Sequence, residues 1–343
     1  MQRRQFVTTL AAAGLIGAGI RPSFAQGKLE KTKVAIAVGG KNLFYYLPLT
    51  IAERLNYFKD EGLDVEISDF AGGSKALQAL VGGSADVVSG AYEHTILLQA
   101  KNQFIRAFVL QGRAPQIVFG VSNKTMPNYK SLADLRGKKI GVTAPGSSTN
   151  IMANFVLAKG GVKPNEVAFV GVGASSGALA AIRSGNIDAI VNLDPVITML
   201  ERDKEIRVIS DTRTLKETVS VFGGHMPAGC LYTNESFIQK NPNTTQALTN
   251  AMVRALRWLQ TAGPADIIKT VPDAYLLGDR ALYLDAWGRV KEAMSPDGLI
   301  PADGPATALR TLQAFDESVK GKPIDLAKTF TNEFTKKADA KYK

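Results

Sequence analysis

Residues 71–91 read A-G-G-S-K-A-L-Q-A-L-V-G-G-S-A-D-V-V-S-G-A, and their pattern decides the fold class. Gly72 and Gly73 let a backbone pass close to another group, and Ser74 suits a helix N-cap. Leu77, Leu80 and Val81 recur at helical spacing, Gly82-Gly83 ends the helix, and Val87-Val88 predicts a short buried strand. A second copy, A-S-S-G-A-L-A-A-I-R-S-G-N-I-D-A-I-V-N-L, occupies residues 174–193. At one constant offset Ser74 matches Ser176, Leu77 matches Leu179, Gly83 matches Gly185, Asp86 matches Asp188 and Val88 matches Ile190. A repeated α/β unit predicts two similar lobes, too few for a solenoid, with a cleft between them as the place for a ligand.

Outward from the first copy, Lys33–Val38 predicts a strand, a helix starts at Pro48, and Leu63–Phe70 alternates as a second strand. Further strands are expected at 104–110 and 117–121. The β-α-β-α-β order implies an α/β fold whose sheets are mainly parallel and flanked by helices. Residues 122–137 read as a crossing into a second lobe that starts with the strand 139–143. The chain turns back near Gly223-Gly224, and 229–233 is the return strand. Asn243–Thr261 is a long amphipathic helix, and the proline-punctuated remainder predicts short helices around lobe one. The expected division is a signal peptide at 1–25, lobe one at 28–121, lobe two at 122–224, and a return to lobe one at 225–343.

Residues 1–25 carry Arg3-Arg4, an apolar run over Val7–Ile20, and Ser23-Phe24-Ala25. The run is short for a membrane span, so a cleavable export signal and a periplasmic location are expected. R-R-Q-F-V resembles a twin-arginine signal, without the usual Ser/Thr before the arginines or Lys after them. The formal charge is +10, and leaving out 1–25 gives 38 basic against 31 acidic residues. Those basic residues form no stripe interleaved with aromatics, so no nucleic-acid partner is expected. One cysteine, Cys230, and two histidines argue against a disulfide framework and against a metal site. No G-x-S-x-G, P-loop, G-x-G-x-x-G after the first strand, or H-E-x-x-H is present. Neither a catalytic centre nor a cofactor is expected.

In open α/β sheets ligands sit beyond the C-terminal strand ends, which selects five loops, 39–46, 71–74, 89–94, 144–149 and 192–195. Gly146, Ser147, Ser148 and Thr149 combine free helix-start amides with hydroxyls, a pattern that suits an anion. From the other lobe, Gly73 and Ser74 would face them, Lys41 would add positive charge, and Tyr45 and Tyr92 would wall the ligand. Glu93 could pair with a ligand amine, His94 could contact the ligand, and Asn192 and Asp194 close the far loop.

Taken together, A-E-R-L-N-Y-F-K-D-E-G-L-D-V-E, G-G-S-K-A-L-Q-A-L-V-G-G-S-A-D-V-V, L-R-G-K-K-I-G-V, G-S-S-T-N and S-G-N-I-D-A-I-V-N-L-D-P resemble the solute-binding proteins of ABC importers in the nitrate, sulfonate and taurine class. The resemblance covers about residues 33–260. It implies a two-lobed periplasmic binding protein of the second topological type, with a two-segment hinge. It further implies a monomer that carries a small-molecule ligand to an ABC importer permease in the inner membrane. By the same resemblance Gly146–Thr149 is the anion cradle, faced by Gly72–Ser74. The wider group includes a yeast pyrimidine synthase with a cysteine-rich motif, which a chain with one cysteine lacks. Binding of a thiamine-pyrimidine precursor or an aromatic acid, and a secreted enzyme on the same scaffold, remain the alternatives.

Overall fold

The computed structural model describes residues 27–342, so the expected signal peptide lies outside the described residues. In chain order the first segment runs β1 (Lys33–Gly39), α1 (Leu47–Arg54), α2 (Tyr57–Asp60), β2 (Asp64–Phe70), α3 (Gly73–Val81), β3 (Val87–Ala91), α4 (Glu93–Gln99) and β4 (Ile105–Leu110). The second runs β5 (Val118–Ser122), β6 (Lys139–Val142), α5 (Ser148–Lys159), β7 (Ala168–Gly171), α6 (Ser176–Ser184), β8 (Ala189–Asn192), α7 (Val196–Arg202), β9 (Ile206–Asp211) and α8 (Leu215–Phe222). The return brings β10 (Gly229–Asn234), α9 (Glu235–Lys240), α10 (Pro242–Thr261), α11 (Pro264–Thr270), α12 (Arg280–Val290), α13 (Gly304–Gln313) and α14 (Glu333–Lys341).

Two five-stranded sheets result, ordered β2-β1-β3-β10-β4 and β7-β6-β8-β5-β9. Each has one antiparallel strand, β10 in the first and β5 in the second. The two sheets therefore have the same plan, and each takes its antiparallel strand from chain that has just crossed between lobes. The sequence reading placed 117–121 in lobe one. The structure corrects this: β5 belongs to the second sheet, so the crossing falls at 111–117 rather than at 122–137. A strand that is buried throughout carries no sign of which sheet it joins.

The internal repeat has a structural cause. Asp86 accepts from the Ala35 amide at 2.9 Å, and its own amide donates to Ala35 at 2.8 Å. Asp188 does the same with Lys139, at 3.0 and 2.8 Å. In both lobes the aspartate before the third parallel strand is thus tied to the start of the first. Gly83 and Gly185, at φ +78° and +80°, make the left-handed turn that ends each repeat helix.

The two crossing segments are laced to each other. Gly112 exchanges backbone bonds with Ala228 and Gly229, and Thr212 bonds Ile117 through both its amide and its hydroxyl. The C-terminal helices differ from expectation by reaching both lobes. Leu282 of α12 sits in the apolar cluster of lobe two with Val196, Ile197 and Leu200. Arg202 of α7 also pairs with Asp279 at 2.6 Å.

On lobe one the chain end is clamped by Glu61, which is 6% exposed. It accepts from Asn250 of α10 at 2.8 Å, from Lys341 of α14 at 3.1 Å, and from the Tyr342 hydroxyl. Glu61→Ala strands three polar groups and is expected to cost about 2 kcal/mol, read as a lower urea midpoint at unchanged slope. A change within the scatter of repeat measurements would show that the clamp is ornamental. Among the described residues no helix is long and apolar enough to cross a membrane.

Candidate functional site

The C-terminal strand ends of both sheets meet at one seam, and most of the residues singled out from sequence fall along it in two groups. The first group joins the lobes directly. Gly72, in extended conformation, is the N-cap of α3, so Ser74 lies inside the helix and does not cap it as expected. The Ser74 hydroxyl donates instead to the Pro145 carbonyl of lobe two at 2.8 Å. Ser147 holds the N-cap position of α5 but makes no cap bond there. Its oxygen accepts from the Ser74 amide at 3.0 Å, and its hydroxyl donates to Ser74 Oγ at 3.2 Å. Ser147 therefore caps α3, the helix of the opposite lobe.

Small residues permit this approach. A Cβ on Gly72 would lie 2.7 Å from Ala144 Cβ, and one on Gly40 would lie 2.7 Å from Ala174 Cβ, both across the seam. Gly146 takes φ +82° and faces Ser74, which leaves its carbonyl 3.3 Å from His94 Nε2. That nitrogen must carry the proton, so Nδ1 accepts from the Tyr232 hydroxyl at 2.9 Å. Burial holds the imidazole neutral, with its pKa pushed down to about 4. Asn42 adds a bond to the Ala174 carbonyl at 2.9 Å.

The second group lines an enclosed cavity of about 10 Å³ between the lobes: Tyr45, Tyr46 and Gly73 on one side, Thr143, Ser148 and Leu193 on the other. That is room for about one water. Glu93, 4% exposed, begins α4 rather than lying in a loop. Its Oε2 is buried without a hydrogen-bond partner, as is the Tyr45 hydroxyl. Ser148 is near enough to favour the Tyr45 phenolate slightly, but not in hydrogen-bonding geometry. Burial raises the Glu93 carboxyl to about 7. Its charge in turn adds to the upward shifts of Tyr45, Tyr46, Cys230 and Tyr232, so it sits within electrostatic range of all four.

Five expected ligand contacts are engaged elsewhere. The Lys41 ammonium is held by Glu53 at 2.6 Å, so it brings no free positive charge to the seam. The Tyr92 hydroxyl reaches 2.5 Å from Thr329 in the interior of lobe one. Thr149 Oγ1 accepts from the Thr143 amide at 3.1 Å, inside lobe two. Asn192 bridges Gly173 and Leu193. Asp194 accepts twice from Thr198 and lies 3.6 Å from Arg213. Each is a polar residue near a strand end held by a partner within its own lobe, and sequence position alone cannot separate that from a ligand contact. The sequence reading passed over Asn42, Tyr232 and Thr143. Tyr232, on the return strand, carries no local motif that announces it.

The profile of the NMT1-like family matches residues 27–271. YtlA of Bacillus subtilis, named as a binding protein, is 23% identical over 284 residues, covering 78% of this chain and 79% of that one. The 4-amino-5-hydroxymethyl-2-methylpyrimidine phosphate synthase THI13 of Saccharomyces cerevisiae is 25% identical over 235 residues, covering 66% and 67%. A solved structure from Bordetella bronchiseptica RB50 is 64% identical with a TM-score of 0.90, covering 92% of this chain and 99% of that one. The alkanesulfonate-binding protein SsuA of Xanthomonas axonopodis pv. citri, solved bound to MOPS, gives a TM-score of 0.68 at 19% identity, covering 88% and 99%. The nitrate-binding protein NrtA of Synechocystis PCC 6803 gives 0.68 at 14% identity, covering 91% and 89%. The last two likenesses establish shared architecture. Paired five-stranded sheets, a doubly crossed hinge and a seam at the strand ends agree with the profile match: the chain belongs to the NMT1-like family and has the two-lobed fold of the periplasmic binding proteins.

Proposed function

We propose that this protein is the extracytoplasmic solute-binding component of an ABC importer, which captures a small organic solute between its lobes and hands it to a membrane permease. The observation that carries the reading is the seam itself. Two lobes on a laced two-segment hinge meet through a few direct hydrogen bonds around a small polar cavity. Solute pockets usually need roughly 300 Å³ or more, so a solute enters by parting the lobes and then favours their closure around itself. Binding rather than turnover is also the better match to the side chains. Both His94 nitrogens are occupied, and Cys230 is a buried thiol whose pKa burial pushes up, which suits an inert residue. The anionic solute suggested by the sequence would rely on the α5 start and on Ser74, Ser147 and Ser148, without help from Lys41.

The test is native mass spectrometry of the mature chain after exposure to the low-molecular-weight filtrate of a cell extract, paired with thermal unfolding. A retained small mass and a raised Tm are expected; saturation at about a hundred times Kd adds roughly 2.7 kcal/mol. Ser148→Leu places a bulky side chain at the cavity wall. It should abolish retention, at least a hundredfold in affinity, with the far-ultraviolet spectrum unchanged. Retention of the same mass by Ser148→Leu would move the solute away from this seam.

A further inference from the structure

The polar groups at the seam differ between the lobes. On lobe two the Asn150 side-chain N–H is a buried donor without a partner, while the Ser74 amide is engaged by Ser147, the Ser74 hydroxyl by Pro145, the Gly146 amide by Asn150, the His94 N–H by the Gly146 carbonyl, and the Lys41 ammonium by Glu53. What lacks a partner on the lobe-one side is a carboxylate oxygen, Glu93 Oε2, with the Tyr45 hydroxyl beside the cavity. Among the described residues, the groups whose titration the Glu93 charge shifts upward are Tyr45, Tyr46, Tyr92, Cys230 and Tyr232, and none of these is a cation. A buried carboxylate with neither a cation nor a full set of donors is costly, and such a group is kept where a ligand supplies what is missing.

We propose that Glu93, assisted by Tyr45, recognises a cationic nitrogen on the solute, a protonated amine or amidine whose N–H donates to Glu93 Oε2. This rests on the solute-binding reading and names the solute class for that same site. Parting of the lobes admits the solute beside Tyr45. Its nitrogen meets the carboxylate, and its other end is left to the hydroxyls of Ser74, Ser147 and Ser148. The raised pKa of Glu93 has the same origin as its lack of partners, and a bound cation would draw it back to the ionised form.

The experiment uses matched probes at millimolar concentration on the full mature chain: taurine against isethionate, benzamidine against benzoate, and butylamine against butyrate. Thermal unfolding screens the pairs and calorimetry gives Kd. The nitrogen member of at least one pair should raise Tm while its counterpart does not. Its Kd should weaken at least tenfold in Glu93→Gln, and also, by less, in Tyr45→Phe. Three results would overturn the inference: a counterpart that binds as tightly as its nitrogen partner, a nitrogen binder indifferent to Glu93→Gln, or no shift with any nitrogen probe. None of them touches the extract experiment above, whose retained mass does not depend on ligand class. The solute-binding reading therefore fails or stands separately.

Discussion

Gly72→Ala should part the lobes without unfolding either of them. Gly72 is at φ −178° and ψ 164°, an extended conformation open to any residue, so lobe one tolerates the alanine. The added methyl would lie 2.7 Å from Ala144 Cβ, 3.0 Å from the Ala144 nitrogen and 3.0 Å from Ser147 Oγ. Carbon atoms prefer about 3.5–4.0 Å, and two of these neighbours are a short side chain and the backbone, which cannot swing aside. Lobe two must therefore retreat by about 1 Å, beyond the reach of the Ser74–Ser147 and Ser74–Pro145 bonds. With about 1 kcal/mol per bond, loss of all three shifts the balance between joined and parted lobes on the order of a hundredfold. Paired spin labels at the exposed positions Val81 and Val170, one per lobe, would report it as a longer distance distribution with Tm nearly unchanged. Identical distributions in the two proteins would mean that the glycine is not what allows the approach.

Glu93→Gln should stabilise the ligand-free fold at neutral pH, and the sign follows from linkage. The folded carboxyl titrates near 7 and the unfolded one near 4.5. Below the lower value both states are protonated and the residue costs nothing. Between the two, the unfolded chain ionises and the folded one does not, so stability falls as pH rises through that window. Above it the whole cost is present, roughly 3 kcal/mol for a shift of this size. Glutamine removes the titration, so the variant and the parent should match at pH 4 and diverge up to about pH 8. His94 contributes oppositely, losing stability as pH falls from its unfolded value toward about 4, but it is common to both proteins and cancels in the comparison. Urea unfolding across pH 4–8 gives the curve. A constant offset would show that the glutamate acts through shape and not charge. Greater stability in Glu93→Gln joined to weaker binding of a nitrogen-bearing probe is the trade that the proposed role of Glu93 predicts.

The sequence carried the two-lobe plan because its signals are local and doubled. The S-x-x-L-x-x-[L/I] repeat with its closing glycine and aspartate gives α3–β3 and α6–β8, and the aspartates tie each third strand to the first. It did not carry the hinge, since Val118–Ser122 pairs with β8 and β9 through contacts far along the chain. At the seam, Ser74, Gly146, Ser147, His94 and Tyr45 were legible as small, hydroxyl-bearing or aromatic residues at strand ends. Lys41 and Tyr92 belong to the same class of position, and their partners Glu53 and Thr329 lie 12 and 237 residues away. Position told which residues could face the seam, and bonds to partners elsewhere held some of them away from it.

The cap that Ser147 places on α3 has a consequence for dosage. A hydroxyl that occupies the start of the opposite helix is a built-in competitor for the space a solute must enter. Apparent affinity is then the intrinsic affinity scaled by the fraction of molecules with parted lobes. A change at Ser147 or Gly72 can therefore move the concentration at which a ligand of the seam binds without altering any contact to that ligand. The threshold would then be written in the joint between the lobes, independently of which ligand is bound.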